Sequence, residues 1–365
     1  MAELSSDRVK KGLRFFLLIT IPTLLIILLL TVREETWEAL KGVSPFFLLL
    51  TTTITLLRFY IESLRIQILS WAGGKWIHLK DSLDFNLGSL FLGAVTPFQS
   101  GGIVLQLYIL NHAGLSIGRG TNVLFIKGIL PTFIFLLSLP FIFVYNRTLF
   151  ETPLIRSLVK YIFSLYGILI ILLFFFFIKP SWVERGLLRF ESFLRRKGIL
   201  KGDRGLRVLE KGFHQMNEFG KGLKESMNLG RMKILLAFLL SLVGLLLHAI
   251  TAPLLLLGLG VEPHFLTSMA LQVLLYFLLV FSPTPGASGI AEVATYKLFD
   301  SLCPRPLLGI FVILLRFFYL YLAAALGGIL LLQRVKSREL QWNETTKRRD
   351  PSFSTSSHSR NSGGR

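Results

Sequence analysis

Long apolar runs separated by short polar stretches set the pattern of this chain. A helix needs about 20 apolar residues to cross the hydrocarbon core of a bilayer. Six runs reach that length, at roughly 13–32, 43–70, 120–146, 154–178, 232–258 and 306–332. The first has too long an apolar stretch for a cleavable signal, and no small-residue cleavage site follows it. Two further apolar regions are interrupted. One, from Asp84 to His112, is broken by Thr96-Pro97-Phe98-Gln99-Ser100-Gly101-Gly102. The other, at about 265–300, is broken by Ser282-Pro283-Thr284-Pro285-Gly286-Ala287-Ser288-Gly289. Proline lacks the donor a helix interior needs, and glycine permits non-helical dihedrals. The pieces on either side are mostly too short to span. Irregular backbone at membrane depth persists only where protein or water satisfies its polar groups. The pattern therefore predicts an all-α polytopic membrane protein with about six full spans plus two re-entrant half-helix pairs.

Composition agrees. The chain is 52% apolar and 17% charged, against about 25% charged for soluble domains. That excludes a soluble enzyme, a disordered chain and a disulfide scaffold. The lone Cys303 offers neither an internal disulfide nor a metal cluster, so no metal and no cofactor is expected. Lys and Arg number 40 against 21 Asp and Glu, a net charge of +19. These cations gather between apolar runs and at the termini. Such placement suits an anionic membrane surface rather than nucleic acid.

Charge also orients the chain. Segment 179–233 holds 14 Lys and Arg, the start holds Arg8, Lys10, Lys11 and Arg14, and the tail from Arg334 is basic again. The positive-inside rule puts all three in the cytoplasm, with the chain in the cell (cytoplasmic) membrane. The expected organisation is a cytoplasmic N-terminus (1–12), a first membrane half (13–146), a second half (154–332) and a disordered basic tail (333–365). Within the second half, 179–233 reads as basic amphipathic helices on the cytoplasmic surface, with Leu206, Leu209, Phe213 and Met216 at helical spacing.

Shifting the chain by 188 residues superposes the two breaks. Thr96, Pro97, Ser100, Gly101 and Tyr108 fall on Thr284, Pro285, Ser288, Gly289 and Tyr296. Each half then reads as two spans, a broken pair and one span, and the charge-derived topology orients the halves oppositely. Interrupted segments at matching places of two inverted halves point to a transport site. Close packing of small residues is the alternative reading.

Charged residues inside the runs sharpen the site. Arg58, Glu62 and Arg65 share one helix face at i, i+4 and i+7. A central charge costs roughly 2.5–3.5 kcal/mol on insertion scales, whereas a helical ion pair returns only about 0.2–0.5 kcal/mol. A polar interior or a ligand is needed to close that gap, although Arg65 also has the option of snorkelling to the interface. Lys127 reads either as a snorkelling residue or as part of the site. Arg316, about ten residues into the last run, reads as anion-binding. Glu292 reads as a first-turn carboxylate, a proton relay or a counter-ion to Arg316. His248 reads as a hydrogen-bonded packing residue. Half-helices starting near Gly102 and Gly289 would aim backbone N–H groups at the bilayer midplane, where they favour anions. No nucleophile–base constellation, phosphate loop or metal motif appears, so catalysis is not expected.

These residues resemble the flippase-like membrane region of bacterial lysylphosphatidylglycerol synthases and its stand-alone relatives, over about 12–333. The carriers are Leu64-Arg65, Thr96–Gly102 with Gln106 and Tyr108, Pro283–Gly289 with Glu292, and Arg316 with Tyr319. The resemblance implies movement of an aminoacylated phospholipid between leaflets. The soluble lysyltransferase domain of the full synthases is not expected, because the chain ends soon after the last run. Ile103 and Gln106 stand where many members carry an acidic and a basic residue, which implies a different lipid or a neutral first site.

The expected function is a lipid translocator for an anionic or aminoacylated phospholipid or a polyprenyl-phosphate lipid. Arg58, Arg65, Lys127 and Arg316 would bind the headgroup, with Gln99, Ser100, Gly101, Gly102, Gln106, Gly286, Ser288 and Gly289. Glu62 and Glu292 would balance charge or relay protons, and Pro97, Pro283 and Pro285 would break the helices. The alternative is a non-transporting accessory subunit that presents lipid to a separate transferase or glycosyltransferase.

Overall fold

The computed structural model describes residues 41–145, 153–178 and 230–331, with Pro22, Leu25 and Gln333, and the described residues contain helices and turns but no strand. In chain order the helices are α1 (Pro45–Ala72), α2 (Leu79–Leu83), α3 (Ser89–Ala94), α4 (Ser100–His112) and α5 (Ile117–Tyr145). Then come α6 (Pro153–Ile178), α7 (Arg231–Gly258), α8 (Phe265–Leu279), α9 (Ile290–Phe299) and α10 (Arg305–Arg316). A π-helical turn, Asp84–Gly88, joins α2 to α3. A second, Phe317–Tyr321, extends α10 into one helix ending at Leu331.

Five of the six predicted runs coincide with α1, α5, α6, α7 and the Arg305–Leu331 helix. Of these, α1, α5, α7 and the Arg305–Leu331 helix are long and apolar enough to cross a membrane, and α6 is 26 residues of mostly apolar sequence. The run 13–32, the N-terminus 1–12, the insertion over 179–229 and the tail beyond Gln333 lie outside the described residues. Both interrupted regions fold as helix–break–helix. At 1.5 Å per residue, α4 is about 20 Å long, α8 about 22 Å and α9 about 15 Å, all short of a hydrocarbon core of about 30 Å.

The order of elements recurs: α1, a hairpin of short helices and α5, then α7, a hairpin of short helices and α10. α1 and α7 lie against each other along their length and run antiparallel. The Ser44 N–H donates to the Gly258 carbonyl at one end, and Lys233 Nζ donates to the Trp71 carbonyl at the other. Two apolar cores flank this pair. One gathers Phe135, Tyr166, Leu255, Phe277, Phe299 and Phe311 from α5 to α10. The other gathers Ile66, Phe85, Leu110 and Val123 from the first half, with Ala237 of α7. Large apolar side chains such as Phe46, Phe133, Phe141 and Leu246 stay exposed, as a lipid-facing surface requires.

Hydroxyls along the helices are satisfied locally. Thr51, Thr52, Ser63, Ser241 and Thr295 each donate to the carbonyl four residues back, so they need no ligand. The last helix meets the first hairpin backbone to backbone. A Cβ on Gly327 would overlap the Leu87 carbonyl in the first π turn.

Candidate functional site

The two breaks are built alike. Each opens with a 3-10 turn led by proline, Pro97–Gln99 and Pro285–Ala287. In each, two successive residues are left-handed: Phe98 and Gln99 (φ 52° and 53°), then Gly286 and Ala287 (both φ 58°). The serine that follows donates to the proline carbonyl, Ser100 at 2.9 Å and Ser288 at 2.8 Å. Thr96 accepts the Gly101 N–H, and Thr284 donates to the Ser288 carbonyl. The left-handed region costs a non-glycine residue roughly 1–2 kcal/mol. Three of the four positions carry that cost, so the turn is held by its surroundings. The breaks pack against each other, the second buried and Pro97–Ser100 of the first exposed. Pro283 is exposed at the lead-in to the second.

The expected half-helix starts are shifted slightly, to Ser100 and Ile290, and one N–H group at each is already engaged. Thr96 holds the Gly101 N–H at 2.9 Å, and Glu292 Oε2 holds the Gly289 N–H at 2.7 Å. Gly101 and Gly102 let the hairpin arms close, because a Cβ on Gly102 would come to 2.6 Å from the Ser89 carbonyl oxygen. Gln106 ties the same arms by donating to Ser89 Oγ at 2.8 Å. Gln99 lies exposed in the turn.

Arg316 clasps the second break to the last helix. Its Nε donates to Glu292 Oε1 at 2.9 Å, and its Nη2 donates to the Gly286 carbonyl at 2.9 Å. Arg316 is 5% exposed and Glu292 fully buried. Glu292 therefore serves both as helix cap and as counter-ion.

The α1 triad faces α7. Arg65 is 4% exposed, pairs with Glu62 at 2.5 Å and donates to Ser241 Oγ at 3.0 Å. Its Nε has no partner among the described residues. Glu62 is accommodated because position 244 is glycine; a Cβ there would sit 2.7 Å from Glu62 Oε1. Arg58 donates to His248 Nδ1 at 3.0 Å, and His248 Nε2 lies 3.2 Å from Gln272 Nε2. Tyr319, one turn beyond Arg316, donates to the His248 carbonyl at 2.5 Å. Lys127 places its ammonium 5.1 Å from the Phe85 ring centroid.

A polar seam thus runs from Arg65 through Glu62 and Arg58 to His248 and Tyr319, and from there along the last helix to the second break. Ser241, Gly244 and Gln272 complete it with the Gly286 carbonyl, and of these only Gly286 stood out in the sequence. The small polar or flexible residues Ser241 and Gly244 inside a leucine-rich run are the signal that marks them. In the loop after α9, burial pushes the Cys303 thiol up to about 12. Among the described residues no group of three His, Cys, Asp or Glu is arranged to hold a metal.

The model of a family described as the lysylphosphatidylglycerol synthase TM region matches residues 15–327. A UPF0104 membrane protein of Archaeoglobus fulgidus is 23% identical over 296 residues, covering 81% of this chain and 89% of that protein. No solved structure matches the chain. With helices fit to cross a membrane and a match over most of its length, this chain belongs to the lysylphosphatidylglycerol synthase TM region family, as a multi-pass membrane protein.

Proposed function

We propose that this protein moves a lipid with an anionic headgroup between the leaflets of the cell membrane, without itself catalysing a covalent step. The observation that carries the reading is the meeting of two equally built turns beside a buried polar seam. Antiparallel α1 and α7 supply the second support, since they head two series of elements in the same order. The halves form an inverted repeat, and rocking of one against the other alternates access to the seam. Both termini and the basic insertion face the cytoplasm by the positive-inside rule. The cargo is an anionic or aminoacylated phospholipid or a polyprenyl-phosphate lipid, because cations and polar turns suit a phosphate while the acyl tails remain in the membrane.

The test is reconstitution. Purified protein in vesicles should accelerate the crossing of fluorescent phosphatidylglycerol, read as the fraction quenched by external dithionite. Crossing no faster than in protein-free vesicles, for phosphatidylglycerol, its lysyl ester and a polyprenyl phosphate alike, overturns the reading. That result would leave the accessory role beside a separate transferase or glycosyltransferase.

A further inference from the structure

The four cations of the seam and its flank divide by their partners. Arg65 and Arg316 each hold a carboxylate and a second acceptor, and both are buried. Arg58 and Lys127 are only half-buried. Neither has a carboxylate within ion-pair distance among the described residues. Glu62, one turn from Arg58 on the same helix, has its Oε2 committed to Arg65. Splitting a buried ion pair is strongly unfavourable, so an incoming anion meets Arg58 and Lys127 at far lower cost than Arg65 or Arg316.

What holds Arg58 fits that role. Guanidinium only donates, so His248 Nδ1 accepts its bond and the ring proton resides on Nε2. That N–H needs an acceptor, and the buried Gln272 Oε1 is without a partner. Turning the Gln272 amide by 180° brings this oxygen to face Nε2 and satisfies both groups. His248 is then a neutral ring, fixed between Tyr319 and Tyr276. The Arg58 guanidinium lies 5.4 Å from the Tyr319 ring centroid and 5.1 Å from that of Phe59. Aromatic faces and a neutral nitrogen orient a guanidinium without cancelling its charge.

We propose that Arg58 is the seat for the phosphate of the lipid cargo, with His248 as its positioning residue. This rests on the translocator reading, which it narrows: Arg65 and Arg316 are structural cations.

The experiment titrates short-chain phosphatidylglycerol into detergent-purified protein and counts bound lipid by native mass spectrometry. Arg58→Gln should weaken binding about tenfold or more, and Arg58→Lys, which keeps charge without the fork, should fall between. His248→Asn sets an oxygen where Nδ1 stands and should retain binding, whereas His248→Phe should lose as much as Arg58→Gln. Nitrogen-15 spectra of the wild-type ring should show the neutral Nε2–H form; an imidazolium at neutral pH overturns the positioning role. Displacement of lipid by equimolar inorganic phosphate would assign the seat to a free anion and overturn the lipid source. Unchanged binding in Arg58→Gln, with folding confirmed by gel filtration, overturns the seat. If wild-type protein binds phosphatidylglycerol but moves none in vesicles, the translocator reading fails and the seat stands.

Discussion

Removing one side of the clasp at the second break is the most informative perturbation of this fold. In Glu292→Gln the side chain keeps its size and one oxygen acceptor, but Arg316, 5% exposed, loses its counter-charge. Leaving one member of a buried ion pair alone costs roughly 3–5 kcal/mol. A polar hydrogen bond between membrane helices is worth about 0.6 kcal/mol on average. Charge compensation therefore outweighs geometry several-fold. Arg316→Lys keeps the charge and gives up the forked contact to the Gly286 carbonyl, so its cost should lie near the smaller figure. Arg316→Met combined with Glu292→Gln removes both charges and should recover much of the loss. The assay is thermal unfolding in detergent, followed by tryptophan fluorescence. The expected order of unfolding temperature is wild type, Arg316→Lys, the double variant, then Glu292→Gln and Arg316→Met alone. A double variant that simply adds the two single losses would refute the reasoning, because it would show that the two charges do not support each other.

Further outcomes follow from single positions. Gly244→Ala places a methyl group 2.7 Å from Glu62 Oε1; it should push Glu62 off Arg65 and lower the unfolding temperature, while Gly128→Ala, with open space around it, should not. Ala287→Gly relieves a left-handed alanine at φ 58° and should stabilise by up to about 1 kcal/mol after the entropy cost of glycine; a loss of stability would contradict the strain. Cys303 is 2% exposed, with its thiol pushed up to about 12; it should resist maleimide at neutral pH and react on denaturation, and prompt labelling of folded protein would contradict its burial.

The spans were legible because length and apolarity are local properties, as α1, α5, α6 and α7 show. The breaks were legible because proline and glycine act on their own backbone. The conformation inside them was not: nothing in the sequence marks Phe98, Gln99 and Ala287 as left-handed, and the side-chain bonds of Thr96, Ser100, Thr284 and Ser288 hold the turns together with the packing of one break on the other. The charged triad on α1 was readable from its spacing, but its partners were not. Arg58 meets His248 190 residues away, and that pairing depends on how α1 and α7 are rotated about their axes. Glu292 was open between a helix cap and a counter-ion, and it serves as both, since each carboxylate oxygen takes a different donor. The π turns at Asp84–Gly88 and Phe317–Tyr321 left no sequence mark, because they arise where the last helix presses on the first hairpin.

That lipid passes by way of the paired turns is tested most directly by blocking one of them. Ser100 is exposed in the first break, so Ser100→Cys in vesicles can be capped with a bulky maleimide and the crossing of fluorescent phosphatidylglycerol timed before and after. Capping should stop the accelerated crossing, while the same reagent on Tyr145→Cys, exposed at the far end of α5, should leave it running. Undiminished crossing with Ser100→Cys fully capped would contradict the account.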